Sequence, residues 1–425
     1  MITIRTHGYC SFFFLSLFLM IPAMIQASNG LDLTSETMLR TFKRDTVNGG
    51  DRLIIPAYQY LGLNYNDSED GGFSFHLYGW GRKDLPENGF FKDDADGELL
   101  YGYLQFAKPY STFSAKLGRQ HIFAGVTNQS VDGLQLQSGV GPYLSFAAFG
   151  GLPVTYEEDN GHSGDGIYGG RLAHQYKSYG EIGISFQRII DNQEDIEKIA
   201  GLDLSLSFPN FLFDGLSSFN LESEGWREHR YDARLQWDAF TVNPIFHYFR
   251  YQDYFSTGYD RTNLFRFLAD TDETLTLYGI DVHYNGFGGL DLGVRGRRYD
   301  YSLKQETAYY TGWILAFILE NESQIGVEVG QMYGESTDNR YTLYRGYFSW
   351  NDPVSFLSPG QLNVDTMYIN YDEPIFGRDA SVHFSLGGSR MFLDNRIEVK
   401  LSGNFDQDPY FDEDIGVLLT ILVNL

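Results

Sequence analysis

The amino-acid sequence predicts an all-β chain, a transmembrane, antiparallel, up-and-down β-barrel of about 18–22 strands with no plug domain. Three observations lead there. Apolar and polar residues alternate in segment after segment, as in Leu202-Asp203-Leu204-Ser205-Leu206-Ser207-Phe208 and in Ile397-Glu398-Val399-Lys400-Leu401-Ser402-Gly403-Asn404-Phe405. A strand turns successive side chains to opposite faces, so this period gives each segment one greasy face and one wet face. No helical period separates the segments, and beyond the N-terminal residues no stretch approaches 18 uninterrupted apolar residues. Aromatic residues supply 16% of the chain, in keeping with rings placed at both membrane interfaces of a barrel. The mean hydropathy is only −0.29, because a barrel needs grease at every second position alone.

The first 27 residues read as an address. Met1 to His7 carries one positive charge, Arg5, and an apolar run from Phe12 to Ile25 is broken only by Ser16 and Pro22. Ile25-Gln26-Ala27 then places a small residue before Ser28, which suits signal-peptidase cleavage. The run is short for a spanning helix, which needs about 20 apolar residues. Residues 1–27 are therefore expected to be a cleaved signal peptide, and 28–425 a single outer-membrane β-barrel. Cleavage would remove Cys10, the sole cysteine, and with it any disulfide, thiolate metal site or covalent haem attachment. It would also remove Arg5, taking the formal net charge from −25 to −26.

Alternation, with breaks at Gly, Pro, Asn and Asp, places the strands in order. They fall near 31–42, 53–65, 72–81, 98–106, 112–120, 131–138, 143–149, 166–176, 180–190, 197–208 and 217–226. They continue near 229–237, 240–252, 274–285, 290–300, 306–320, 324–334, 340–350, 361–371, 379–391, 396–405 and 414–424. These are 22 candidates, and merging of neighbours would lower the number to 18 or 20. Short turns such as Ala107-Lys108-Pro109-Tyr110, Gly286-Phe287-Gly288-Gly289, Asn321-Glu322-Ser323 and Leu393-Asp394-Asn395 alternate with longer polar stretches at 82–97, 121–130, 150–165, 253–273 and 406–413. Barrels of the bacterial outer membrane have short turns on the periplasmic side and longer loops outside. Residues 351–360, with Pro353 and Pro359, and residues 209–216 depart from this rule as unusually long inner turns. A plug would show as a globular stretch of about a hundred residues or more before the first strand, and the first candidate begins soon after the predicted cleavage site.

Charge and motifs narrow the function. Acidic residues outnumber basic ones 56 to 31, which argues against nucleic acid as a partner. Gly164-Asp165-Gly166-Ile167-Tyr168-Gly169 spells the dinucleotide fingerprint, but that site needs a strand before the glycines and a helix after them, and neither is predicted here. Acidic clusters at Asp93, Asp94, Asp96 and Glu98, at Glu157, Glu158 and Asp159, and at Asp406, Asp408, Asp412, Glu413 and Asp414 read as solvated loop charge. Weak divalent-ion binding near outer-leaflet sugars is the lesser alternative. Asp94-Ala95-Asp96-Gly97 looks like part of a calcium loop, yet Lys92 and Tyr103 stand where acids are needed. There is no His-Glu-x-x-His or Gly-x-Ser-x-Gly motif, and His247, His283 and His383 are expected to line the wall or an interface. No enzymatic activity, metal or cofactor is expected.

The inner wall offers the candidate site residues. If Leu290, Leu292 and Val294 face lipid, then Asp291, Gly293, Arg295 and Arg297 face the lumen; by the same parity Glu398 and Lys400 do so, as do Asp232 and Arg234. Asp232, Arg234, Asp291, Arg295, Arg297, Glu398 and Lys400 are thus the candidate pore-lining residues. Their charges would tie the wall together through cross-strand pairs or set an ion preference.

Lys116-Leu117-Gly118-Arg119-Gln120 followed by Val131-Asp132-Gly133-Leu134 resembles a pattern of bacterial outer-membrane porins and alginate-export-type barrels, in which a Gly-Arg-Gln strand pairs with a following Asp-Gly strand. The match covers about twenty residues. Ile415 to Leu425 looks like the alternating C-terminal assembly signal of such barrels, although Leu425 stands where phenylalanine is usual. The resemblance implies export across the inner membrane, folding by the barrel-assembly machinery, and residence in the bacterial outer membrane against lipid and outer-leaflet lipopolysaccharide. Homo-oligomers are compatible with it. The expected function is a porin-like channel for passive passage of ions or small hydrophilic solutes. The rival expectation is a structural sleeve around a partner such as a multihaem cytochrome, in an outer-membrane electron conduit. Strand number and bore separate them: 16–18 strands with a loop folded inward favour the porin, and 20 or more with an open bore favour the sleeve.

Overall fold

A computed structural model describes residues 30–45, 51–66, 71–85, 95–109, 111–154, 165–191, 193–254, 273–303, 306–335, 340–352, 360–409 and 413–425. The predicted signal peptide, the acids Asp93, Asp94, Glu157, Glu158, Asp159 and Asp412, and the turn prolines Pro353 and Pro359 lie outside the described residues. The strands in chain order are β1 (Leu31–Asp45), β2 (Asp51–Ile54), β3 (Pro56–Asn66), β4 (Gly72–Asp84), β5 (Ala95–Ala107), β6 (Ser114–Ala124), β7 (Thr127–Val140), β8 (Leu144–Pro153), β9 (Gly166–Tyr176), β10 (Gly180–Asp191), β11 (Glu194–Phe208) and β12 (Phe211–Asn220). They continue with β13 (Gly225–Trp237), β14 (Phe240–Arg250), β15 (Thr274–Phe287), β16 (Leu290–Tyr301), β17 (Glu306–Ile318), β18 (Gln324–Gly334), β19 (Tyr341–Asn351), β20 (Gly360–Ile375), β21 (Arg378–Phe392), β22 (Ile397–Gln407) and β23 (Asp414–Asn424).

Each strand pairs antiparallel with its neighbours in sequence, and the sheet closes where β23 pairs with β1, from Thr34 opposite Asn424 to Arg44 opposite Asp414. β2 and β3 lie along successive lengths of β1, Ile54 opposite Phe42 and Ala57 opposite Leu39, and so form one stave interrupted at Ile55. Pro56, which has no N–H to give the ladder, follows that break. The 23 segments therefore make 22 staves, the number of candidates counted from the sequence. Closure leaves no sheet edge to be satisfied by lipid.

The two ends differ. Residues 209–210, 238–239 and 288–289 are two-residue turns at one end, whereas residues 85–94, 154–165 and 251–273 connect strands at the other. The stretch 209–216 is not a long inner turn, because β12 begins at Phe211 and only Pro209-Asn210 intervene. The predicted loop 121–130 is also corrected: β6 and β7 continue through it, joined by Gly125-Val126 alone. At Gly166 the chain enters β9 and not a helix, so the glycines at 164–169 do not meet the nucleotide requirement.

The apolar parity faces outward. Ile182, Ile184, Leu202, Ile280, Val327, Leu386 and Leu401 are all exposed at mid-strand. Rings flank this band. Phe73, Tyr176, Phe208, Trp237, Phe287 and Trp350 are exposed at the short-turn end, and Tyr168, Trp226, Tyr309, Tyr333 and Tyr344 at the opposite end. A soluble protein would not display such a surface; a lipid-embedded barrel does. Val294→Arg, which puts a charge in the middle of this band, is expected to lower folding stability by about 2–4 kcal/mol. Ser402→Arg on the inward parity should stay within about 0.5 kcal/mol. Urea titration of the protein in lipid vesicles compares them, and equal costs would contradict the assignment of faces.

Candidate functional site: a hairpin folded into the lumen

With 4.8 Å between staves tilted by about 40°, 22 staves of circular section span about 40 Å between backbones. Within a bore of that width the chain departs from the regular wall between β5 and β8.

β5 pairs with β6 only from Gly102 to Ala107, so above Arg119 the β6–β7 hairpin has left the wall on that side. Its tip lies against β10 and β11: the Val126 N–H donates to Ser185 Oγ at 3.0 Å. A Cβ placed on Gly201 would sit 2.1 Å from Val126 Cγ1, and one on Gly125 would sit 2.2 Å from Ser185 Oγ. Ser185 and Gly201 have the parity opposite to the exposed Ile184 and Leu202, so the contact is on the inner face. Because β8 and β9 separate β7 from β10 in the sheet, the tip reaches β10 only by folding over the inner face of those two strands.

The departure is made possible by glycines. Gly118 pairs with Gly133, and Gly133 with Gly151. A side chain at Gly118 would meet the Gly102 carbonyl oxygen at 2.3 Å, and one at Gly133 would meet that of Gly150 at 2.2 Å. Gly118 also has φ +126°, a conformation that other residues adopt only under strain. This bare row lets the sheet bend sharply where the hairpin turns in. Arg119 and Asp132, the next cross-strand pair, join in a two-point contact, Arg119 Nε and Nη2 each donating to a carboxylate oxygen at 2.8 Å, while Arg119 Nη1 also donates to the Leu99 carbonyl at 2.9 Å on the freed edge of β5. The Gly-Arg-Gln and Asp-Gly strings noted in the sequence are thus the hinge and the brace of the hairpin.

One face of the hairpin packs on the wall. Ile122, Ala124 and Val131 are buried with Phe149, Ile167, Ile189 and Ile196 in a single apolar cluster. Each large side chain so buried contributes about 1.5–3 kcal/mol, a water-excluding core inside an otherwise hydrated bore. The opposite face, with His121, Phe123, Asn128 and Ser130, looks into the lumen, where His121 bonds to Asn128 at 2.8 Å and Phe123 is 72% exposed. Between this face and the wall of β10–β13 lies a cavity of about 830 Å³. Arg171, Arg227 and Arg230 line it, against five carboxylates: Glu98, Glu197, Asp203, Asp214 and Glu228. Arg171 engages Asp203 at 3.1 Å and Arg227 engages Glu197 at 2.7 Å.

The far wall is charged in a different way. β17 and β18 stand eleven staves from the hairpin strands, half of the 22. There Asp281 holds Arg297 at 2.7 Å and Arg295 at 3.3 Å, Arg295 reaches Glu328 at 3.4 Å, Tyr310 donates to Glu328 at 2.9 Å, and Arg345 bonds Asp365 at 2.9 Å. The structure brings Arg295 and Arg297 together on Asp281. Asp291 lies 3.3 Å from His283, Asp232 lies 3.1 Å from His247, and Lys400 lies 3.1 Å from Glu398. Arg234 shares the parity of Asp232 and sits opposite Leu212. His383 bonds Asp406. Asp291, Arg295, Arg297, Glu398 and Lys400 have the parity opposite to the exposed Leu292, Val294 and Leu401, and Asp232 and Arg234 that opposite to Leu235 and Trp237. Sequence reading missed the hairpin cavity, and the signal it passed over was the polarity of 121–130, taken for an external loop.

No family model matches the chain, and no curated protein matches its sequence. Among solved structures, the P pilus usher (PapC) translocation pore is 10% identical with a TM-score of 0.50, over 92% of this chain and 99% of that one. The siderophore receptor PirA from Pseudomonas aeruginosa is 11% identical with a TM-score of 0.58, over 92% of this chain and 80% of that one. OccAB4 of Acinetobacter baumannii is 10% identical with a TM-score of 0.43, over 94% and 99%, too loose in shape to weigh. At these identities the likeness is one of fold: a closed antiparallel barrel of the outer-membrane type.

If Arg119 braces the hairpin, Arg119→Ala should weaken it by about 1–3 kcal/mol, and Arg119→Lys by less, since lysine keeps the charge but not the bidentate contact. In a chain lacking Cys10, the maleimide labelling rate of Val126→Cys reads the opening. About tenfold faster labelling with Arg119→Ala is expected, at 1.4 kcal/mol per tenfold, and an unchanged rate would refute the brace.

Proposed function

We propose that the chain is an outer-membrane channel, porin-like, through which ions and small hydrophilic solutes diffuse along a polar wall narrowed by the β6–β7 hairpin. The observation that carries this reading is the hairpin itself, held inside the bore by a core of its own and by Ser185. It occupies space that a guest protein would need, and it adds a polar edge that a passive sleeve does not require. Paired charges on the far wall support the same reading: Arg295, Arg297 and Arg345 present guanidinium groups to the lumen while acids between them keep them in place. No step breaks a bond in solute, so no enzyme chemistry is invoked.

In this reading residues 1–27 direct export and are removed, and the barrel-assembly machinery inserts residues 28–425 against lipid and lipopolysaccharide. Homo-oligomers remain compatible with the aromatic outer faces. The sleeve around a multihaem cytochrome has one observation in its favour, the width of 22 staves, and the inward hairpin opposes it.

Purified protein in planar bilayers should give stable, size-limited conductance steps. Replacing residues 121–130 by a two-residue turn should enlarge both the steps and the largest polyethylene glycol that enters. Arg345→Gln should shift the reversal potential toward cations. An absence of steps, with co-purification of a multihaem protein, would favour the sleeve instead.

A further inference from the structure

We propose that the cavity beside the hairpin is a binding site for solutes bearing a protonated amine, a selectivity site within the channel just described. The inference rests on the channel reading and names the solute class that the narrowed passage retains.

Three features converge on it. Phe123 projects from the hairpin with 72% of its surface exposed, stacked only on the edge of His121 at 4.4 Å between ring centres. A phenyl ring that stands free in a hydrated bore offers its face to cations. The lining carries two more carboxylates than guanidiniums. Arg171 and Arg227 are taken up by Asp203 and Glu197. Glu98 has Arg119 no closer than 3.8 Å, Asp214 accepts only from Ser205 Oγ at 2.8 Å, and Glu228 accepts from Ser218 Oγ at 3.4 Å. These three therefore keep most of their acceptor capacity for a solute.

The third feature separates an amine from cations in general. Gln187 and Thr127, 2% and 1% exposed, line the same cavity, and among the described residues Gln187 Oε1 and Thr127 Oγ1 have no hydrogen-bond partner. Buried oxygens without donors are rare, because each costs the unreturned desolvation of the group. An ammonium group brings three N–H donors and a positive charge, which answers the acids directly and the two oxygens once a side-chain rotation turns them toward the cavity, while the alkyl carbons beside it cover Phe123. A quaternary ammonium brings the charge without donors, and a neutral sugar brings donors without the charge.

The test is current block in planar bilayers with the full mature protein, adding spermidine, tetraethylammonium or maltotriose to the bath. Spermidine is expected to interrupt the current at concentrations at least tenfold below the other two. Phe123→Ala and Glu228→Gln should each raise its half-blocking concentration about three- to tenfold, with open-channel steps in each variant showing that it folds. Equal block by tetraethylammonium, stronger block by maltotriose, or steps that spermidine leaves untouched would each overturn the proposal while leaving the channel standing. A protein without steps would instead defeat the channel reading on which it rests.

Discussion

Every main-chain N–H and C=O that faces hydrocarbon must find its partner within the protein, and this structure depends on meeting that demand by closure. The pairing of β23 with β1 over eleven residues removes the edge that an open sheet would leave. Once the ring is closed, the side-chain period of two does the rest. One parity meets lipid and the other meets water, so the same alternation that hides the chain from a hydropathy scan builds an oily exterior and a hydrated bore. The aromatic rings at the two rims then fix where the band begins and ends.

Closure also makes the inward hairpin expensive, since a pair of strands that leaves the wall frees main-chain groups on its neighbours. The chain limits the damage in two ways. The glycine row of Gly118, Gly133 and Gly151 lets β6 and β7 bend while still paired with each other, so the release is confined to the upper edges by which β5 and β6 would have met. Arg119 then covers part of that edge by donating to the Leu99 carbonyl. On the inner face, Ile122, Ala124 and Val131 exchange water for contact with Phe149, Ile167, Ile189 and Ile196. The bend, the brace and the small core form one device, and none of the three has a purpose in a regular barrel.

Charge is distributed to match. On the far wall nearly every arginine is matched by an acid within one or two staves, which holds the guanidinium groups upright in water at modest cost, because exposed pairs contribute little on their own. Beside the hairpin the balance tips to acids, and the buried oxygens of Gln187 and Thr127 stay unmatched. A bore with a neutralised far wall and an acidic, partly apolar near wall is asymmetric across its width.

Much of this was legible in the sequence. Alternation in segments such as Leu202–Phe208 identified the strands and their faces, since parity is local and needs no partner. By that rule Asp291, Arg295, Arg297, Glu398 and Lys400 are expected on the inward parity of their strands. The spacing of turn residues gave the stave number within its stated range. What pairs with what was less accessible: Asp281 bridging Arg295 and Arg297, or Arg345 meeting Asp365, follows from register between strands, which no single strand encodes. The hairpin was misread altogether. Residues 121–130 look like a solvated loop because His121, Asn128 and Ser130 are wet, and their burial partners Phe149, Ile167, Ile189 and Ile196 lie on strands far along the chain. Local alternation by itself determined the barrel and its two faces, whereas the direction in which one hairpin bends was decided by contacts with the inner face of β8–β11 that exist only once those strands have come together.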